Sequence, residues 1–303
     1  MAEIVFGTNI AFAAKRWPEP EQWVRVVKDL GLRHVEFSFD VLDPLLAHDL
    51  DLYKRTREVC EDNGIVISSA TTGTSVFLLN MLADTRPGMH RRAQQWYEQA
   101  IKAASHLGAK GVGGYMGTLT LTQMRDRESR GQVVRQIRNS VFQLAGLAER
   151  TGLEYIAWEV QPTRREYPVN IDETQDLIEA AGVASLPIKL CLDVGHACLP
   201  SGSTEDRDPY AWLGRFGSHT RIVQLQQTDG AQDRHWPFTA EFNQKGIIDP
   251  ARVLKVVREW DTDQVDLMLE IGFRPDVPED KVIDDLRASV DFWRTHLEAG
   301  VAR

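Results

Sequence analysis

Eight short apolar runs, each followed by a longer stretch of helical periodicity, limit the folds open to this chain more than any other feature. The runs are IVFGTNI from Ile4, HVEFSFD from His34, IVISSATTG from Ile65 and GVGGYMG from Gly111, then YIAWEVQP from Tyr155, IKLCLDVGH from Ile188, RIVQLQQTD from Arg221 and VDLMLEIGF from Val265. They are rich in β-branched and aromatic residues, and several are apolar almost throughout, as parallel strands covered on both faces are. Between them lie amphipathic segments. PEQWVRVVKDLGL starts at Pro20 and stops near Gly31, HRRAQQWYEQAIKAASHLGAK ends near Gly108, and RGQVVRQIRNSVFQLAGLAERTG ends at Gly152. DETQDLIEAAG opens on Asp172, DPARVLKVVREW has Pro250 in its first turn, and EDKVIDDLRASVDFWRTHLEA closes the chain.

Four junctions share one form: DLGLRHVEF, EDNGIVISS, HLGAKGVGG and ERTGLEYIAWE each read as helix, glycine turn, strand. Eight strands alternating with helices predict an α/β chain of the (β/α)8 TIM barrel class, a single domain over 1–303. A doubly wound open sheet is the structural alternative, weakened because no GxGxxG follows the first strand. No Pro/Ser-rich linker divides the chain, and SGSTEDRDP at 201–209 reads as a loop. The glycines of GVGGYMG predict a close backbone approach.

Acidic residues outnumber basic ones 44 to 35, a net charge of −9. That argues against nucleic acid as a partner, which calls for a basic face, but leaves room for one local cationic pocket. The three cysteines, Cys60, Cys191 and Cys198, have no CxxC spacing, so no disulfide framework is expected and a reducing, cytoplasmic location fits. MAEIVFGTNI lacks a basic segment followed by an apolar one, and no apolar run reaches about 18 residues, so neither a signal peptide nor a membrane span is expected.

Catalytic groups of such barrels sit at the C-terminal ends of the strands. Here the last four strands end in Trp158-Glu159, Leu192-Asp193, Gln224-Leu225-Gln226 and Leu269-Glu270. A carboxylate at an inward barrel position is costly unless compensated, and three converging on one mouth repel each other. A divalent cation is the simplest compensation, and an oxygen-rich donor set suits Mg2+ or Mn2+. The structural alternative is that Asp193 caps the next helix and that Glu159 or Glu270 pairs with a barrel arginine. Asn9, ending the first strand, and Glu36, in the second, are candidates to reach substrate hydroxyls. Trp236 and Phe238 are candidates to wall a pocket, with packing as the alternative. His34, His48, His90, His106, His219 and His296 show no metal spacing, and Cys191 and Cys198 are expected only to pack.

With Glu159, the Asp193-x-x-His196 pair and Glu270 in place, the chain resembles the xylose-isomerase-like TIM-barrel superfamily, in the branch of D-tagatose 3-epimerase and related ketose 3-epimerases. The resemblance covers nearly the whole chain, most firmly 155–275. It implies metal ligation by Glu159, Asp193 and Glu270, and substrate contacts from Glu166, in EVQPTRREYP, and His196. It also implies a substrate-binding role for Arg234. The family's seventh-strand histidine ligand is replaced here by Gln224, which can coordinate through its carbonyl oxygen. Gln226 shares the same strand face by two-residue alternation and is the other candidate.

The resemblance further implies Mn2+ or Mg2+ as cofactor, with Co2+ as another candidate, and a dimer or tetramer. The ion serves as Lewis acid at the ketose carbonyl and an adjacent hydroxyl. One of Glu159 and Glu270 removes a proton to give a cis-enediolate, and the other returns one from the opposite face. His196 steadies the developing charge. The segment TDGAQDRHWPFTAEFNQKGIID resembles a subgroup acting on short phosphorylated ketoses such as erythrulose phosphate, with Arg234, His235, Lys245 and Arg274 as candidate phosphate holders. An aldose–ketose isomerase on the same barrel is the main alternative. A non-catalytic sugar-binding barrel is another, for which Gln224 is the supporting feature. A zinc endonuclease of the superfamily is disfavoured by the net charge and the scattered histidines.

Overall fold

The computed structural model describes residues 2–45 and 50–299, so His48 lies outside the described residues. Eight parallel strands form a closed barrel in chain order: β1 (Glu3–Asn9), β2 (His34–Ser38), β3 (Val66–Thr71), β4 (Gly111–Gly114), β5 (Tyr155–Glu159), β6 (Ile188–Asp193), β7 (Thr220–Leu225) and β8 (Gln264–Leu269). Each coincides with one of the apolar runs of the sequence, β1, β7 and β8 starting one residue earlier, and β8 closes the ring on β1 over Glu3–Thr8.

Ten α-helices accompany them: α1 (Pro20–Asp29), α2 (Asp51–Asp62), α3 (Pro87–Leu107), α4 (Leu121–Arg125), α5 (Arg127–Arg150), α6 (Ile171–Ala181), α7 (Pro209–Phe216), α8 (Ala240–Asn243), α9 (Pro250–Arg258) and α10 (Glu279–Ala299). Their starts follow from local chemistry. Proline occupies the first turn of α1, α3, α7 and α9, where its missing N–H costs nothing. Side chains of Asp126, Asn170 and Asp249 accept from free backbone N–H groups at the starts of α5, α6 and α9. The sequence pattern does not single out α7, whose buried face is only Pro209, Trp212, Leu213 and Phe216, too short to display a period. Among the described residues no helix is long and apolar enough to cross a membrane.

Apolar side chains form two layers. The larger lies between strands and helices and includes Trp23, Phe37, Tyr53, Trp158, Phe216 and Trp293. A smaller cluster, Val5, Tyr155, Ala157, Cys191, Ile222 and Met268, fills the barrel interior. The second layer fixes the site. Side chains alternate along a strand, so continuing the inward series towards the C-terminal ends gives Tyr155, Ala157, Glu159 on β5 and Cys191, Asp193 on β6. The same step gives Ile222, Gln224, Gln226 on β7 and Met268, Glu270 on β8.

The interior closes only because β4 carries no side chain at Gly111 and Gly113. A Cβ on Gly113 would lie 1.7 Å from the Ala157 carbonyl oxygen, and one on Gly111 would meet the Tyr155 ring at 2.2 Å. Gly113→Ala is therefore expected to cost about 3 kcal/mol, the upper end of overpacking, read as a lower urea midpoint. A cost below about 1 kcal/mol would mean that β4 and β5 separate freely.

Candidate active site

Glu159, Asp193, Glu270 and Gln226 meet at the barrel mouth and are joined by two residues of the loop after β7, Asp233 and His235. Asp193 accepts from the backbone N–H of Gly195 (2.6 Å) and from Gln226 Nε2, 3.0 Å from each carboxylate oxygen. The same Nε2 donates to Asp233 Oδ1 at 2.6 Å. Gln226 Oε1 accepts from the backbone N–H groups of Arg234, at 3.1 Å, and His235, and so fixes the start of that loop. The amide lies flat on Gly195, where a Cβ would come within 2.2 Å of it. Glycine at this position is what lets Gln226 reach Asp193.

Two imidazoles face this cluster. His196 Nδ1 donates to the Val160 carbonyl at 2.8 Å, which leaves Nε2 toward Asp193 (3.8 Å) and Asp233 (3.6 Å). Its Nδ1 is 3.6 Å from Glu159. His235 Nε2 sits 3.0 Å from Asp233, and its Nδ1 3.2 Å from the Glu270 carbonyl. His235 has φ 48°, a left-handed backbone rare for a residue with a side chain, and its Cβ region packs on Gly272. The loop thus presses this ring into the mouth.

Below the mouth lies a polar floor. Glu36 is buried and accepts from Asn9 Nδ2 (2.9 Å), Gln224 Nε2 (2.9 Å) and Ser69 Oγ (3.4 Å). Asn9 Nδ2 also reaches Glu270 at 3.2 Å. Gln224 is committed here, since its Oε1 accepts from Cys191 Sγ. The amide that reaches the carboxylate cluster is that of Gln226, one inward step nearer the mouth.

Burial governs the electrostatics. Desolvation raises Glu159 to about 8, with Asp193 and Glu36 adding to the rise and His196 opposing it. Glu270 is raised well above its ordinary value by burial and by Glu159, Asp193 and Glu36. Desolvation also lifts Glu36 to about 7 against the donors that hold it. For His235 burial works downward, yet Asp233 and Asp193 carry it up to about 9, and for His196 the carboxylates likewise win. No lysine or arginine among the described residues pairs with Glu159, Asp193 or Glu270, whose ion-pair partners are the two imidazoles.

Donor chemistry therefore fits a divalent cation: carboxylates that repel one another, and imidazoles. One ligand atom each from Asp193, His196 and His235 lie within 4.8 Å of one another. Oxygen and nitrogen donors without thiolate suit Mg2+, Mn2+ or Co2+.

A cavity of about 350 Å³ opens over this cluster, lined by Glu159, His196, Asp233, His235, Glu270 and Glu166 among others. Glu166 Oε1 accepts from Thr118 Oγ1 at 2.9 Å, while its Oε2 is buried with no partner, as is Gln161 Nε2 on the same wall. One acceptor and one donor are thus left over for a bound hydroxylated molecule. Arg234 and Trp236 are not among the residues lining the cavity. Arg234 pairs with Asp229 at 2.7 Å and lies over the Trp236 ring, which stacks on Phe242. Phe238 is core, packed on Phe292 and Trp293. Lys245 pairs with Glu241 and Arg274 with Asp276. Sequence reasoning missed Asp233 and Gln161, both on segments with no periodicity. A charged residue beside His235 was the one available signal.

A family model described as xylose isomerase-like TIM barrel matches residues 24–296. The D-erythrulose 1-phosphate 3-epimerase of Brucella abortus (strain 2308) is 28% identical over 310 residues, covering 98% of this chain and 97% of that protein. A solved protein of Rhodospirillum rubrum ATCC 11170 superposes with a TM-score of 0.89 at 24% identity, over 97% of this chain and 99% of that one. D-Psicose 3-epimerase from Clostridium cellulolyticum H10, solved with D-tagatose, gives a TM-score of 0.72 at 17% identity, over 98% and 99% of the two chains.

Proposed function

The chain belongs to the xylose isomerase-like TIM barrel family, and from that premise we propose that it is a ketose 3-epimerase whose substrate is a short-chain ketose phosphate. The observation that carries the reading is the pair Glu159 and Glu270. They come from strands three places apart in the ring, line one cavity, and are both shifted toward the proton-holding range. Inversion at a carbon next to a carbonyl needs a proton removed from one face and another delivered to the opposite face. Two carboxyl groups across a cavity provide that, whereas a lone base returns the proton where it came from. The Brucella relative, similar along nearly its whole length, favours a phosphorylated four-carbon ketose.

A divalent ion held by Glu159, Asp193 and Glu270, with His235 in reach of Asp193, would supply Lewis acidity toward the carbonyl and neighbouring hydroxyl oxygens; the Gln226 amide would orient Asp193 from behind. The chain's own residues do the rest. One glutamate, ionised, takes the C3 proton, and the other, protonated, gives one back to the opposite face of the cis-enediolate. His196, its Nδ1 fixed on Val160, points Nε2 at the enediolate oxygen and donates there. Asn9 holds Glu270 in place from below, and Glu166 and Gln161 offer an acceptor and a donor to substrate hydroxyls.

The test is proton NMR of ketoses and ketose phosphates in deuterated water with Mn2+ or Mg2+. Deuterium should enter at C3 with formation of the C3 epimer. Aldose formation with exchange at C1 would replace the reading with an aldose–ketose isomerase. No exchange in any C4–C6 ketose would end the enzyme reading. Gln226→Leu is expected to weaken divalent-ion binding by about 10-fold or more, whereas Gln224→Leu, which strips a donor from buried Glu36, should lower thermal stability and leave ion affinity within a few-fold. Ion titration and melting curves separate the two, and the reverse pattern would move the support of the ion site from Gln226 to Gln224.

A further inference from the structure

A second cleft of about 400 Å³ opens off the catalytic cavity and shares Ala11, Asp40 and Thr74 with it. Its walls are the segments after β1, β2, β3 and β8, and Lys15, Arg16, Thr74, Ser75 and Phe273 face it. Lys15 is exposed and sits at φ 66°, a left-handed conformation that costs a residue with a side chain of order 1 kcal/mol. It has no ion-pair or side-chain hydrogen-bond partner among the described residues. Arg16 is half-buried. One terminal nitrogen donates to the Arg274 carbonyl, the guanidinium lies 6.0 Å from the Phe273 ring centre, and Nε is buried without a partner.

The contrast with the cations expected from sequence is sharp. Arg234, His235, Lys245 and Arg274 each already face a carboxylate, at 2.7, 3.0, 2.7 and 3.0 Å. Asp40 is the one carboxylate lining the second cleft, and its oxygens are filled by Thr74 N–H, Thr74 Oγ1 and Ser75 N–H. Two cations without an ion-pair partner among the described residues thus face one saturated anion, in a chain with net charge −9.

We propose that Lys15 and Arg16 form the subsite for the phosphate group of the substrate. The sugar carbons lie in the catalytic cavity and the phosphate dianion in the adjoining cleft, accepting from Lys15 Nζ and from a terminal nitrogen of Arg16. Charge-assisted hydrogen bonds of this kind are about twice as strong as neutral ones. The inference rests on the epimerase reading for its substrate, but the anion site itself is testable without catalysis.

Two measurements decide it. The first is calorimetric titration of the full chain with inorganic phosphate. Binding is expected, and Lys15→Asn, chosen because asparagine tolerates the left-handed backbone, should weaken it about tenfold, with Lys15→Asn and Arg16→Gln together abolishing it. The second is the ratio of kcat/KM for C3 exchange on a ketose phosphate to that on the free ketose, which should fall about tenfold in Lys15→Asn. Absence of phosphate binding by the unaltered chain, or equal binding by Lys15→Asn, overturns the subsite. Phosphate binding that depends on Lys15 in a chain that exchanges no ketose proton upholds the anion site and sinks only the epimerase reading. An unchanged ratio in an active enzyme places the phosphate elsewhere.

Discussion

Glu270→Gln is expected to lower kcat for C3 epimerisation by about 10³-fold, within the range that a positioned acid or base contributes, and Glu159→Gln to do the same. Glutamine keeps the volume and still accepts the Asn9 Nδ2 hydrogen bond that reaches Glu270 at 3.2 Å. It mimics the protonated form that burial and Glu159, Asp193 and Glu36 favour at Glu270. The cation-free variant should therefore melt no lower than the parent, and higher in alkaline solution where the parent carboxyl ionises, so loss of turnover cannot be a folding defect. Residues that act as a unit are not additive, and the double variant should be little worse than either single one. Deuterium incorporation at C3 reads the chemistry directly. A variant within tenfold of the parent would refute the two-carboxyl assignment.

The second large effect is on stability, through protons. Glu36, Glu159 and Glu270 are all raised in the fold, the first two to about 7 and about 8 from 4.5. The folded state therefore favours their protonated forms. Their contribution is complete below about pH 4.5 and is lost as pH rises through the folded values. His235, at about 9, and His196 are raised too, and their contribution likewise disappears as pH rises. Asp233 is held low by the imidazoles, so its contribution is lost only in acid, below this window. At about 1.4 kcal/mol per pKa unit, Glu36 alone contributes about 3 kcal/mol between pH 5 and 8. The protein stripped with a chelator should lose several kcal/mol of unfolding free energy over that range. Mn2+ or Mg2+ should restore it at pH 8 far more than at pH 5, because the ion takes the place of the protons. Urea midpoints at the two pH values, with chelator and with ion, give the four numbers needed. A chelated profile that is flat, or an ion effect equal at both pH values, would remove the electrostatic case for a cation among these carboxylates.

Much of the site was legible because a strand has a period of two. Once YIAWE, IKLCLD and VDLMLE are strands of one barrel, Glu159, Asp193 and Glu270 are bound to emerge at the same end. The two candidates on β7 show where that legibility stops. Gln224 and Gln226 share a face, and periodicity ranks them equally. Depth separates them: Gln224 lies level with Cys191 and Glu36, and Gln226 above Gly195 and against Asp193. That height depends on how far the tilted strands are staggered around the ring, which no single strand encodes.

The sequence by itself determined the barrel and the acidic strand ends, since hydrophobic periodicity and the cost of burying charge act locally and leave a local record. Only the tertiary structure decided which loop residues return to the mouth and which cations are left without an ion-pair partner among the described residues. Asp233 and His235 reach the carboxylates because Gln226 pins the loop that carries them. Arg234, Lys245 and Arg274 have carboxylates beside them, while Lys15 and Arg16 do not. Loop paths and charge pairing depend on contacts between segments far apart in the chain, whose energies exist only once the barrel has closed.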